Sequence, residues 1–233
     1  ESGEHLEIVR TRIRLRELTS IARDQLDDWW HESDEPSFKR EVYLTQYQPF
    51  HWFIEFPEVF THGGFDVVVG NPPYVQKKKL DYSYSGFDTD KCPDIYAPCT
   101  ERASQICSPR GRLGMIVMLS LSFSNNFKYL RRCLRERFPL ILASTFSRRP
   151  STLFTGVGVR NTIVICSPDP DSTGLGRVMT TDTRRWIDDY RPHLMGCLRY
   201  TDISTVLKSS EDQWLRTGDE AVGILLKALV SSL

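Results

Sequence analysis

The chain holds 233 residues, with 30 Lys and Arg against 30 Asp and Glu, 40% hydrophobic and 11% aromatic. That apolar share excludes a disordered chain, and no apolar run approaches the roughly 18 residues of a membrane span, so no membrane partner is expected. A formal charge of zero leaves open a binding face for a polyanion if the charges are unevenly spread.

Leu6, Val9, Ile13, Leu18, Ile21, Ala22, Leu26 and Trp29 follow the spacing of one helix face, which predicts a long amphipathic helix over about 4–30. A polar stretch to Arg40 reads as a loop, and the aromatic-rich Tyr47 to Pro57 reads as core packing. Phe65-Asp66-Val67-Val68-Val69-Gly70 has the pattern of a strand buried on both faces of a parallel sheet. Residues 76–91 read as a mobile loop, and Asp94 as the N-cap of a helix to about Cys107 that Pro109-Arg110-Gly111 closes. Leu113–Leu119 predicts a strand, Asn125–Arg137 a helix, and Leu140–Phe146 and Asn161–Cys166 two further strands. Strands alternating with helices imply an α/β fold. The last two strands lack a helix between them and should pair antiparallel as an edge hairpin. Beyond Ser167, rising Pro, Gly and Asp content marks a boundary, with a helix over about Asp219–Leu229 near the end. The expected organisation is a helical insertion or linker at 1–44, a central α/β segment at 45–168, and at 169–233 a linker and the start of a further segment, with target recognition as its candidate role.

The six cysteines, Cys92, Cys99, Cys107, Cys133, Cys166 and Cys197, form no CxxC pair and have no His at ligand spacing, which points to reduced thiols in a cytoplasmic protein and to no metal. Glu1-Ser2-Gly3-Glu4 has neither an initiator Met nor the features of a signal peptide. It reads as the interior of a longer chain.

Chemistry concentrates in Gly70-Asn71-Pro72-Pro73-Tyr74, directly after the first strand, where open α/β sheets place their ligands. Two prolines fix the backbone and present carbonyl acceptors, Asn71 adds a side-chain oxygen, and Tyr74 adds a flat face. An exocyclic amine on a heteroaromatic ring is a poor nucleophile because its lone pair is delocalised. Acceptors at Asn71 and Pro72 could hold both amine hydrogens and favour pyramidal nitrogen. A base reaching such a pocket must leave its duplex, and stacking on Tyr74 would offset part of that cost.

The run from Phe65 to Tyr74 resembles the catalytic motif of adenine-N6 DNA methyltransferases. Trp52 to Phe60, Asp94-Ile95-Tyr96 with Glu101-Arg102-Ala103, and Arg149 to Val157 are similar to the methylases of type IIG restriction-modification and phage-defence systems. The resemblance spans roughly residues 45–168 and implies a Rossmann-like S-adenosylmethionine-dependent sheet acting on double-stranded DNA. It assigns Asn71, Pro72, Pro73 and Tyr74 to catalysis, Asn71 also to the cofactor, and Phe154 to a second aromatic against the base. An ordinary core position is the alternative for Phe154.

Residues 121–160 carry eight basic residues against Glu136 alone, whereas 1–60 carry thirteen acidic and seven basic. Lys77, Lys78, Lys79, Arg148, Arg149 and Arg160 are candidates to meet phosphates. Arg131, Arg132 and Arg135 read more simply as a solvated helix face. The Gly-rich cofactor loop of the resembled family is missing: Gly156-Val157-Gly158 and Gly174-Leu175-Gly176 are the GxG triplets, and neither lies between a buried strand and a helix. The chain is therefore expected to be the catalytic half of a longer methyltransferase, with the remainder of that chain as a partner. No metal-binding nuclease motif is visible. An N5-glutamine protein methyltransferase or a catalytically inactive DNA-binding fragment are the alternative readings.

Overall fold

The computed structural model describes residues 2–34, 39–154, 158–168 and 176–218. The chain divides into two compact units, Glu1–His62 and Gly63–Leu233. The predicted Asp219–Leu229 helix and the Gly174-Leu175 part of the second GxG triplet lie outside the described residues, as do Gly156 and Val157 of the first.

In the first unit, α1 (Ser2–Asp34) is the predicted helix, joined by the shorter α2 (Arg40–Tyr47), α3 (Trp52–Glu55) and α4 (Pro57–Thr61). His51 Nε2 and Asp27 Oδ1 lie 2.8 Å apart and tie the turn before α3 to α1. The predicted apolar stripe is not buried within this unit: Ile13, Leu18, Ile21 and Trp29 are exposed. The aromatic stretch likewise packs ring against ring, Phe53 on Phe60 at 4.2 Å and Phe50 on Trp52 at 4.9 Å, yet Phe50, Phe53 and Phe56 remain exposed. A unit of about 60 residues, one long helix and three short ones, buries too little surface to enclose a core, so the core expectation for Tyr47 to Pro57 fails here.

The second unit is an α/β fold with a six-stranded mixed sheet. Its elements are β1 (Phe65–Gly70), α5 (Tyr96–Ile106), β2 (Cys107–Met118), α6 (Ser120–Phe123), α7 (Lys128–Arg137), β3 (Leu140–Phe146), β4 (Asn161–Ser167), β5 (Arg177–Arg184) and β6 (Thr201–Asp202). The strand order is β1-β2-β4-β3-β5-β6. β1 and β2 are parallel, β3 and β4 antiparallel as expected, and β3 and β5 parallel. The hairpin lies inside the sheet rather than at its edge, because β5 and β6 extend the sheet past residue 168. β5 escapes an apolar scan since its inward positions include Thr180 and Thr181, both buried. Thr181 Oγ1 accepts from the Thr145 amide at 3.1 Å.

α5 and α7 cover one face. Tyr96, Ala97, Leu130 and Leu134 pack there with Leu113, Val117, Ile141 and Val164 in a continuous core. Pro109-Arg110-Gly111 does not close the helix: β2 begins directly after α5 and runs through it. Gly111 is required, since a Cβ there would lie 2.7 Å from the Phe65 carbonyl and 2.5 Å from Cys107 Sγ. β1 is an edge strand with Val67 58% and Val69 74% exposed, which corrects the expectation of burial on both faces. Among the described residues α5 and α7 back the core face alone, and across the other face Val69 pairs with Gly114 and Gly114 with the half-exposed Ile165. No helix among the described residues is long and apolar enough to cross a membrane.

Candidate active site at the open end of β1

β1 delivers Asn71, Pro72, Pro73 and Tyr74 to its C-terminal end, with Asn71 and Pro73 exposed and Pro72 and Tyr74 half-buried. Beyond Tyr74 the chain runs antiparallel to the stretch before α5. The Ile95 amide donates to the Val75 carbonyl at 2.9 Å, the Lys77 amide to Pro93 at 2.7 Å, and Gln76 bridges Asp94. That bridge explains why Asp94 is no helix cap: its backbone is held extended, the cap position falls on Ile95, and no side chain caps α5. Burial pushes the Asp94 carboxyl above the usual range.

Tyr74 is fixed at both ends of its ring. Its hydroxyl donates to the Ile116 carbonyl at 3.0 Å and accepts from Asn161 Nδ2 at 3.2 Å, while Tyr96 meets the ring edge-on at 6.3 Å. Desolvation raises the phenol above its ordinary value, so it stays neutral through the physiological range. Tyr96 is itself fully buried, stacked on Phe127 at 4.8 Å and hydrogen-bonded to Ser120 at 3.1 Å.

The 76–91 segment is held in place rather than left as a free loop. Lys77–Lys79 and Asp88–Lys91 form 3-10 turns. Glu101, buried in α5, accepts from the amides of Asp88 at 3.1 Å and Thr89 at 2.9 Å and from the Thr89 hydroxyl at 2.7 Å. Lys77 is engaged: its ammonium lies 4.4 Å from the centre of the Tyr84 ring and 3.3 Å from the Asp90 carbonyl. Lys78 and Lys79 are exposed.

The arginines sort into two groups. Arg148, Arg149 and Arg160 are exposed. They flank the connection from β3 to β4, which is held by the 184–194 segment: the Ser147 amide donates to the Arg184 carbonyl at 2.8 Å, the Ser151 amide to Trp186 at 3.1 Å, and the Arg191 guanidinium to Leu153 at 2.7 Å and Thr152 at 2.9 Å. Phe154 is half-buried on this connection; among the described residues nothing joins it to Tyr74. Arg131 and Arg135 are not a solvated face. Arg131 is fully buried and donates to the carbonyls of Leu121, Ser124, Glu211 and Asp212 at 2.8 Å each. Arg135 donates to the carbonyls of Gly176 and Ser209, and Arg132 and Lys128 pair with Glu211 at 3.0 and 3.1 Å.

Sequence reasoning missed Asn161 as a partner of Tyr74 and Glu101 as the anchor of the 76–91 segment. A polar residue opening a predicted apolar strand was the available signal for Asn161. Neither GxG triplet supplies a cofactor loop among the described residues. Gly176 is packed against the Phe138 carbonyl, where a Cβ would sit at 2.1 Å, and Gly158 is exposed. The motif end of β1 is thus in place, while the residues that would hold S-adenosylmethionine are not found among those described.

The fold is a mixed α/β sheet of the Rossmann-like kind, with Asn71-Pro72-Pro73-Tyr74 directly after its edge strand. The chain belongs to the Eco57I restriction-modification methylase family, whose model matches residues 2–147. It is similar to a Methanocaldococcus jannaschii protein assigned as a type II restriction enzyme and methyltransferase, with 26% identity over 193 residues covering 70% of this chain and 16% of the relative. Among solved structures it is similar to a nuclease-deletion mutant of the type ISP restriction-modification enzyme LlaGI in complex with a DNA substrate mimic, at 15% identity and a TM-score of 0.50, covering 69% of this chain and 19% of that one. It is also similar to the DrdV–DNA complex, at 13% identity and a TM-score of 0.49, covering 70% and 19%. The chain therefore spans about a sixth of the length of its curated relative.

Proposed function

We propose that this chain is the catalytic half of a DNA methyltransferase that modifies the N6 amine of an adenine flipped out of double-stranded DNA. The observation that carries the reading is the pairing at the end of β1 of an exposed Asn71 with a Tyr74 ring tied down through its hydroxyl. In this reading the Asn71 side-chain oxygen and the Pro72 carbonyl accept the two amine hydrogens. That draws the nitrogen lone pair out of conjugation and aims it, an effect of orientation and electrostatics together. Pro72 and Pro73 hold the acceptors rigid, and Tyr74 stacks on the adenine, offsetting part of the few kcal/mol of unstacking. S-adenosylmethionine supplies, when bound, a methyl group carried on a sulfonium. No base among these residues is needed before attack, because the neutral amine is the nucleophile and its proton leaves afterwards.

The place of β1 at the sheet edge and the exposed Val67 and Val69 support a sheet completed by further chain, which would hold the cofactor. Family membership supports the reaction class, and the exposed Arg148, Arg149, Arg160, Lys78 and Lys79 suit phosphate contacts. Phe154 is proposed as the second aromatic against the base.

The test is transfer of labelled methyl groups from S-adenosylmethionine to unmodified DNA by the full-length protein. Asn71→Ala should lose about a hundredfold or more of the rate, the size of effect seen when one stabilising polar group is removed from such a site. Equal incorporation by the two proteins would refute the role of Asn71, and label on protein glutamine rather than DNA would refute the substrate.

A further inference from the structure

Asn161 opens β4, is 1% exposed, and pairs with Met118 of β2 across the sheet. Its amide nitrogen points at the Tyr74 hydroxyl, 3.2 Å away. A phenol has one proton to donate, and here Tyr74 commits it to the Ile116 carbonyl at 3.0 Å. The oxygen can then only accept, and the complementary neighbour is a group that only donates at that position: an amide N–H qualifies, whereas a carboxylate does not. With both partners fixed on the sheet, the hydroxyl cannot turn, and the ring is held at its far end as well as at its backbone. Asn161 also closes the connection that begins after β3. Its neighbour Arg160 accepts from the Leu119 amide at 2.9 Å through its carbonyl, so the residue before β4 is tied to the residue that follows β2.

We propose that Asn161 is a positioning residue for the methylation site: it orients the Tyr74 ring through its hydroxyl and so fixes the platform that a flipped base meets. The inference rests on Tyr74 being the stacking residue. It deepens that reading by making the hydroxyl, which stacking itself does not use, the handle by which the sheet holds the platform. It also makes a buried amide on a different strand, ninety residues from Asn71 in sequence, part of the site.

The experiment compares Asn161→Ala, Tyr74→Phe, the double variant and Tyr74→Ala in the full-length protein. It reads single-turnover methyl transfer, DNA affinity, and the fluorescence of 2-aminopurine placed at the position the wild type methylates. Asn161→Ala should slow transfer by about five- to tenfold, the loss of one ordinary hydrogen bond, and Tyr74→Phe, which loses the bond to the Ile116 carbonyl as well, by at least as much. Each should shrink the 2-aminopurine signal while leaving DNA affinity within about twofold, and the double variant should be no slower than Tyr74→Phe. The inference is overturned if Asn161→Ala keeps the wild-type rate and signal, or if it slows transfer by the same factor in the Tyr74→Phe background as in the wild type. Should Asn161→Ala fail to fold, Asn161→Asp decides, since it keeps the shape and replaces the donor at that position by an acceptor: a fall in rate and signal that is absent in the Tyr74→Phe background supports the inference, and wild-type behaviour overturns it. A Tyr74→Ala protein with full activity would instead remove the stacking role of Tyr74, and the inference with it.

Discussion

Two sets of arginines in one forty-residue stretch have opposite fates. Arg131 and Arg135 on α7 turn inward and staple the 209–212 stretch to that helix through its carbonyls, while Arg148, Arg149 and Arg160 stand exposed around the β3–β4 connection. The first set makes the fold and the second is available to a polyanion. A guanidinium offers five donors in a rigid fork, which suits either a cluster of carbonyls or a phosphate. The difference is made by whether a chain segment returns over the helix. Desolvation lowers the Arg131 guanidinium to about 10, the signature of a cation kept indoors by its hydrogen bonds.

That contrast can be broken in three ways. The largest effect should come from Arg131→Ala, which leaves the carbonyls of Leu121, Ser124, Glu211 and Asp212 without their shared donor. A loss of about 3–5 kcal/mol and a fall of roughly 10 °C in Tm are expected, and an unchanged melting curve would mean the staple is not structural. Next comes Arg148→Ala, Arg149→Ala and Arg160→Ala combined. Here Tm should stay within about 1 °C, as for surface sites, while DNA affinity drops and the slope of log K against log salt becomes shallower by about one for each phosphate that no longer meets an arginine. A fall in Tm with an unchanged salt slope would place these three with the structural set.

The smallest effect concerns the ionisable groups of the packed side. Burial pushes the Cys133 thiol up to about 11 and Cys92 to about 12. Between the ordinary thiol value near 9 and these values the unfolded chain has lost protons that the folded chain keeps, so stability falls as pH rises through that window. Stability measured from pH 8 to 11 should show this decline, and Cys133→Ala should flatten it; an unaltered slope would assign the decline to other groups.

Much of the second unit is legible in sequence because its strands are short apolar runs and its helices have clear breaks. β1, α7, β3, β4 and the Asn71–Tyr74 turn follow from local pattern. What pattern cannot supply is what lies across a strand or helix from it. Val67-Val68-Val69 reads as buried on both faces, but burial depends on neighbours that the run itself does not contain. Asp94 looks like a cap until Gln76 bridges it. Glu101 is one more helix carboxylate until the 86–91 backbone comes to lie against it. At the site, the residues proposed to carry chemistry are contiguous and readable, whereas those that hold Tyr74, namely Asn161, Tyr96 and the Ile116 carbonyl, come from other strands and helices and become partners only through the fold.

The outer rim of β1 has one more consequence. A valine-rich strand with no neighbouring strand on that side among the described residues, and no lysine or proline to blunt it, is a template for whatever extended backbone meets it first. The same rim that would receive the rest of a methyltransferase sheet would equally receive another copy of β1. With that rim uncovered, the chain is exposed to self-association through β1.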